Sequence, residues 1–138
     1  MHEEPIMKMF NNCNVARLLG IEIYDLREGH AGGKLAITRD HVNVFGLAHG
    51  GILFTLADHV AGTCANSLGK KSLLVESSIQ YLKAIVEGDM IFAEADLTYA
   101  GKTIGRIDVK LHRENGETVA LMHNVLYVTT HDLGTEAS

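Results

Sequence analysis

Proline is nearly absent. The one proline among 138 residues is Pro5, in the N-terminal lead-in, so nothing downstream removes a backbone donor from a helix or strand. Cysteine is also scarce: Cys13 and Cys64 form neither a metal-ligand spacing nor a disulfide framework. Both fall in segments that read as helical, so reduced thiols in a cytoplasmic protein are the expectation. The opening run Met1-His2-Glu3-Glu4-Pro5 lacks the basic-then-apolar layout of a secretory signal. No apolar run approaches the ~20 residues of a membrane span, so no membrane partner is expected. Positive charge is in deficit, with 12 Lys and Arg against 17 Asp and Glu and a formal net charge of −5. That balance argues against a nucleic-acid partner, which calls for a basic stripe. It leaves room for an anionic small molecule held by a local group of lysines. The eight histidines show no short pair at i,i+4 or His-x-His spacing, so no metal site is expected.

What is present suits one folded domain across residues 1–138. Hydrophobic residues make up 46% and charged residues 21%, which is globular rather than disordered composition. The first expected element is a helix from Ile6 to Leu19, stopped by Gly20. Strands are expected over Ile21 to Leu26 and Gly33 to Thr38, turning at Glu28-Gly29-His30. A loop from Arg39 to Ala48 leads into the one long helix, Gly50 to Leu68. There Leu53, Leu56, Ala57, Val60, Ala61, Cys64 and Leu68 recur at three- and four-residue spacing. Four strands follow, over Leu73 to Ala84, Met90 to Ala100, Thr103 to Arg113 and Glu117 to Thr130. Short turns between them, Asn115-Gly116 above all, imply antiparallel neighbours. One long helix with an antiparallel sheet is an α+β arrangement.

The informative segment runs from Asn43 to Asp58. Gly50 and Gly51 leave the backbone bare where the long helix begins. The first N–H groups of a helix lack internal partners and carry the positive end of its dipole, so a carbonyl placed there is polarised. A glycine pair by itself equally marks a tight turn. Asp58 lies eight residues further on, too deep in the helix to cap it and on the flank of the apolar stripe. Ala61, Gly62 and Ala65 beyond it leave room for a ligand, although a lone aspartate is more often a surface residue. His59 points ~100° away from Asp58 and is expected to face solvent. Cys64 is expected to be a buried small hydrophobe. His112 and His123 read as ordinary strand residues, and Glu76 is a candidate for lining a pocket. Lys70, Lys71, Lys83, Lys102 and Arg106 are the basic side chains to consider for phosphates.

Taken together, Asn43, His49-Gly50-Gly51 and Leu56-Ala57-Asp58 resemble the signature of the hot-dog thioesterases. They are most similar to the phenylacetyl-CoA thioesterase branch of the 4-hydroxybenzoyl-CoA thioesterase superfamily. The likeness covers nearly the whole chain. Ser78-Ile79-Gln80-Tyr81-Leu82-Lys83 looks like the family strand after the helix, and Ala100-Gly101-Lys102-Thr103 looks like its late turn. Ala84 stands where the family often has proline. The resemblance implies a hot-dog fold, an antiparallel sheet wrapped around one central helix. It further implies hydrolysis of an acyl-CoA thioester, with no cofactor beyond the CoA of the substrate itself. Asp58 would be the base that activates water, or the nucleophile, and the Gly50 N–H would bind the oxyanion. Asn43, His49, Gly51, Lys83, Lys102 and Thr103 would contact substrate or shape its site. A non-catalytic acyl-CoA-binding hot-dog protein is the alternative.

Helix geometry adds a constraint. Eight residues of helix span ~12 Å, whereas groups serving one carbonyl must lie within ~3 Å of it. Gly50 and Asp58 of one helix therefore cannot serve the same carbonyl, and a site that uses both takes Asp58 from another subunit. A homodimer at least, and a homotetramer as a pair of dimers, is the expected assembly.

Overall fold

The long helix forms over Gly50–Ala65 and continues as one tight 3₁₀ turn, Asn66–Leu68, before Gly69 leaves it with φ +87°. The computed structural model describes residues 3–134. In chain order these form α1 (Glu3–Asn11), α2 (Asn14–Leu19), β1 (Glu22–Arg27), β2 (His30–Ala36), α3 (Gly50–Ala65), β3 (Lys70–Tyr81), β4 (Met90–Ala100), β5 (Ile104–Arg113) and β6 (Thr118–Asp132). The strands build one six-stranded sheet in the order β1-β2-β4-β5-β6-β3, and every pairing is antiparallel. The sheet curls around α3 and gives the hot-dog architecture expected from the sequence.

Small residues let the helix sink into the sheet. Ala31, Ala93 and Ala95 are fully buried on the inner face, against Leu56, Ala57, Val60 and Ala61 of α3. At Gly33 the fit has no slack, because a Cβ there would stand 2.5 Å from the Val60 methyl. This explains why β2 begins at His30 and passes through Gly32 and Gly33, against the weak strand preference of glycine: the close approach of the helix outweighs it. The sequence pattern started this strand three residues late for that reason.

The N-terminal segment differs from the single helix expected over 6–19. It is two helices broken at Asn12 and Cys13. The Asn11 amide turns away to pair with both backbone groups of Ile23, donating to its carbonyl at 3.0 Å and accepting its N–H at 2.7 Å. This pairing extends the β1 edge and competes with continued helix. At the opposite edge, β3 exposes Leu73 and Val75 at 52% and 60%. Its free side is therefore both apolar and unpaired, the kind of edge that soluble proteins normally cover.

Cys64 lies in the core, 1% exposed, and burial pushes its thiol up to about 12. Only the thiolate reacts with disulfide reagents. Cys64 is accordingly expected to stay unmodified in the native protein at pH 8 and to react promptly once the chain is unfolded. Mass spectrometry of labelled peptides reads this directly, and rapid native labelling of Cys64 would contradict the packing. No helix among the described residues is long and apolar enough to cross a membrane.

Candidate active site

The helix entrance is assembled from the loop before it. The Asn43 carboxamide oxygen accepts the N–H groups of Phe45 and Leu47 at 2.9 and 3.1 Å, which folds residues 43–47 into a compact turn. Gly46 completes that turn at φ +78°, a region glycine enters freely. The buried His41 then fixes the approach. Its carbonyl accepts the His49 N–H at 2.8 Å, while its ring bridges the Leu19 carbonyl and the Thr38 N–H. His49 is the N-cap of α3, its Nδ1 accepting the Gly51 N–H at 2.9 Å. That leaves the Gly50 N–H with no acceptor among the described residues, at the positive end of a 16-residue helix.

Tyr81, at the end of β3, closes over this point. Its hydroxyl donates to the Gly50 carbonyl at 2.8 Å, and its ring would stand 3.1 Å from a Cβ at position 50. A side chain at 50 would thus press on the Tyr81 ring, which would have to give by a few tenths of an ångström. Asn43, Gly50, Leu53, Tyr81, Lys83 and Ile85 line a cleft of about 350 Å³ here. Its far wall is pinned by Arg113, which donates to the Ala84 carbonyl at 2.6 Å and pairs with Asp89 and Glu117. Arg113 therefore anchors the backbone at Ala84.

Asp58 lies elsewhere. It is half-buried in a second cleft of about 430 Å³, between α3, α1 and the first half of β3. Its carboxylate makes no hydrogen bond or ion pair among the described residues. Burial pushes its pKa above the ordinary aspartate value, and the neighbouring His59 offsets this only in part. His59 does not face solvent as its helical angle suggested. Its Nε2 lies 3.0 Å from the Phe10 carbonyl oxygen and its ring packs on Phe10 at 5.6 Å, because α1 covers that flank of α3. Burial lowers the His59 pKa, which favours the neutral ring.

Gly50 and Asp58 thus open into different clefts of one chain, consistent with their ~12 Å separation along α3. The basic side chains divide in the same way. Lys83 lines the Gly50 cleft. Lys102 and Thr103 are exposed in the turn before β5, where Ile104 pairs with Tyr127 and Tyr127 with Leu73, at the other end of β3. Lys70 is engaged by Asp132 at 2.6 Å, and Glu76 is exposed and lines neither cleft. His112 and His123 sit on the outer face of the sheet, paired across strands with Glu94 and Asp108 at 2.8 and 3.0 Å. Among the described residues no group of three or more His, Cys, Asp or Glu is placed to hold a metal ion. Tyr81 entered the sequence reading only within the Ser78–Lys83 run and Phe10 only as part of the first helix, since aromatic residues at a strand end and on a short helix carry no local signal of a site.

Known proteins are similar to this chain in sequence and fold. A family model described as the thioesterase superfamily matches residues 45–120. A putative esterase of Archaeoglobus fulgidus is 32% identical over 124 residues, 90% of this chain and 80% of that protein. The acyl-coenzyme A thioesterase PaaI of Escherichia coli is 33% identical over 113 residues, 82% of this chain and 81% of that protein. The solved structure of E. coli PaaI superposes with a TM-score of 0.90 at 28% identity, covering 95% of this chain and 96% of that one. A hypothetical thioesterase of Streptococcus pneumoniae, solved with coenzyme A, gives a TM-score of 0.84 at 31% identity, over 92% and 99% of the two chains. With this fold, helix entrance and extent of matching sequence, the chain belongs to the thioesterase superfamily, among the hot-dog proteins of the PaaI branch.

Proposed function

We propose that this protein hydrolyses acyl-CoA thioesters to a carboxylic acid and free CoA, with Gly50 of one subunit and Asp58 of another serving the same carbonyl. The observation that carries the reading is the combination of a helix-terminal N–H that finds no acceptor among the described residues and a partly desolvated carboxylate that finds no hydrogen-bond or ion-pair partner among them, in a second cleft. The Gly50 N–H holds the thioester oxygen as it gains charge. Asp58 takes a proton from water, and the water oxygen bonds to the carbonyl carbon. The C–S bond then breaks, and the proton passes to the departing CoA thiolate. Desolvation raises the basicity of the carboxylate, and a thioester is electrophilic enough to need no metal.

Topology supports the two-subunit arrangement. The start of α3 lies beside Tyr81 at the end of β3, and Asp58 lies beside Leu74 near its beginning. Two β3 edges joined antiparallel about a two-fold axis would bring the Tyr81 end of each strand to the Leu73 end of the other. The Gly50 entrance of one chain then meets the Asp58 cleft of its partner, and the exposed Leu73 and Val75 are covered. The assembly is at least a homodimer, and a second two-fold axis would make it a homotetramer, which light scattering distinguishes. The two free cysteines support a cytoplasmic location.

The direct test is release of CoA thiol from a panel of acyl-CoAs. Hydrolysis of none of them, with binding retained, would favour an acyl-CoA-binding protein over an enzyme. Lys83 at the mouth of the Gly50 cleft is assigned to the CoA phosphates, and Lys102 and Thr103 meet it from the partner's end of the sheet. Lys83→Ala is therefore expected to raise KM severalfold while kcat changes little, and the effect should fade with added salt. An unchanged KM at low ionic strength would remove Lys83 from the phosphate site.

A further inference from the structure

The oxyanion donor sits on a residue with no side chain to hold it, and the hydroxyl of Tyr81 is bonded to that same residue from across the fold. We propose that Tyr81 is a positioning residue of the reaction: it holds Gly50 so that its N–H points at the thioester oxygen. This inference rests on the thioesterase reading and adds a residue to its machinery.

Gly50 and Gly51 make the start of α3 as pliable as a backbone can be. The first turn of a helix is also where it frays, because its N–H groups have no internal partner. A donor serves a developing oxyanion best when its direction is set before the charge appears. Gly50 must therefore be restrained without its N–H being occupied. On the near side, the His49–Gly50 peptide is held through the His49 carbonyl, which accepts the Ile52 and Leu53 N–H groups at 3.0 and 3.2 Å. On the far side, the Gly50–Gly51 peptide is held at both of its polar atoms. The Gly51 N–H donates to His49 Nδ1 at 2.9 Å, and the Gly50 carbonyl accepts the Tyr81 hydroxyl at 2.8 Å. Of these bonds only the last comes from outside the helix and its cap. A carbonyl oxygen has two lone pairs, so it takes the phenol in addition to the helix's own bond.

The hydroxyl is in turn placed by the sheet. Tyr81 is the last residue of β3 and pairs with Ala120 of β6. The backbone that follows, at Leu82 and Lys83, donates to the Val119 carbonyl at 2.9 and 3.2 Å. Val119 and Ala120 are fully buried, so the phenol reaches α3 from a strand end anchored in the core. Burial against the helix entrance pushes the Tyr81 phenol above its ordinary value of 10.0, so the hydroxyl remains a donor at neutral and mildly alkaline pH. A phenylalanine would cover Gly50 with the same ring, so contact with the ring gives no account of the hydroxyl. Its bond to the Gly50 carbonyl does.

Tyr81→Phe keeps the ring, conserves volume and removes the hydroxyl. In thiol-release assays on acetyl-, octanoyl- and phenylacetyl-CoA it should lower kcat roughly tenfold, a fraction of the roughly 10²-fold or more that follows complete loss of an oxyanion donor. KM should stay within about twofold, since the bond serves the transition state rather than substrate binding. Two further readouts separate positioning from a purely structural bond and from direct contact with substrate. In substrate-free protein carrying isotope-labelled glycine, the order parameter of the Gly50 amide should fall from the rigid range of about 0.85 towards about 0.6. In Asp58→Asn protein, which keeps the thioester intact for longer, the carbonyl stretch of the fastest substrate of the panel, labelled at its carbonyl carbon, should lie below that of the free thioester. Adding Tyr81→Phe should reverse most of that shift. A wild-type kcat in Tyr81→Phe, or a carbonyl band unmoved by it, would overturn the proposal. So would a Gly50 amide as rigid as in the wild type, which would assign the lost activity to a contact between the hydroxyl and substrate. A wild-type protein that hydrolyses no member of the panel would overturn the thioesterase reading itself.

Discussion

Replacing Asp58 by Asn is expected to reduce turnover of acyl-CoA on the order of 10²-fold or more, the usual worth of a positioned general base. The substitution keeps size and shape and removes basicity together with the charge, so the loss belongs in kcat rather than KM. Stability should move the other way. Burial raises the folded-state pKa of Asp58 above its ordinary value of 3.8. The native protein therefore binds more protons than the unfolded chain once the pH passes 3.8, and stability falls as pH rises through that window. At neutral pH the ionised carboxylate is a destabilising group, and Asp58→Asn should raise Tm. Below the unfolded value the carboxyl is protonated in both states, and the advantage of the amide should vanish. The raised pKa also places the acidic limb of the kcat/KM profile above the ordinary carboxylate range of about 4. A variant with near wild-type turnover would remove Asp58 from catalysis, and a lower Tm at neutral pH would contradict its desolvation.

The second large effect is complementation between subunits. Gly50→Pro removes the N–H assigned to the oxyanion, at a first helical position where proline is well tolerated. A side chain at 50 also crowds Tyr81, whose exposed ring can swing aside. Homo-oligomers of Gly50→Pro and of Asp58→Asn should each lose most of their activity. Mixed, unfolded and reassembled, they form heterodimers with one doubly damaged site and one intact site. Recovery approaching a quarter of the wild-type rate is expected from statistical mixing, because about half of the dimers are then mixed and each holds one of two sites. No recovery, with hetero-assembly confirmed by mass spectrometry, would place Gly50 and Asp58 in separate functions. A fully active monomer would exclude the shared site.

The order of elements was legible in the sequence because periodicity and turn chemistry are local. Alternating strands, the apolar stripe from Leu53 to Cys64 and the Asn115-Gly116 hairpin all report on backbone conformation within a few residues. The glycine pair and Asp58 could be singled out in the same way, since a bare helix start and a mid-helix aspartate are unusual wherever they occur. Helix rise alone was enough to separate the two groups by ~12 Å. Only the tertiary structure decided the rest. The bend at Asn11 answers to the backbone of Ile23, twelve residues away. Glycine at 33 answers to Val60, and the bare carbon of Gly50 to the ring of Tyr81. His59 turned out to be bound by α1 rather than by solvent, because helical angle fixes a direction but not what lies there. In each case the deciding partner is distant in sequence and close in space, so no window on the chain contained it.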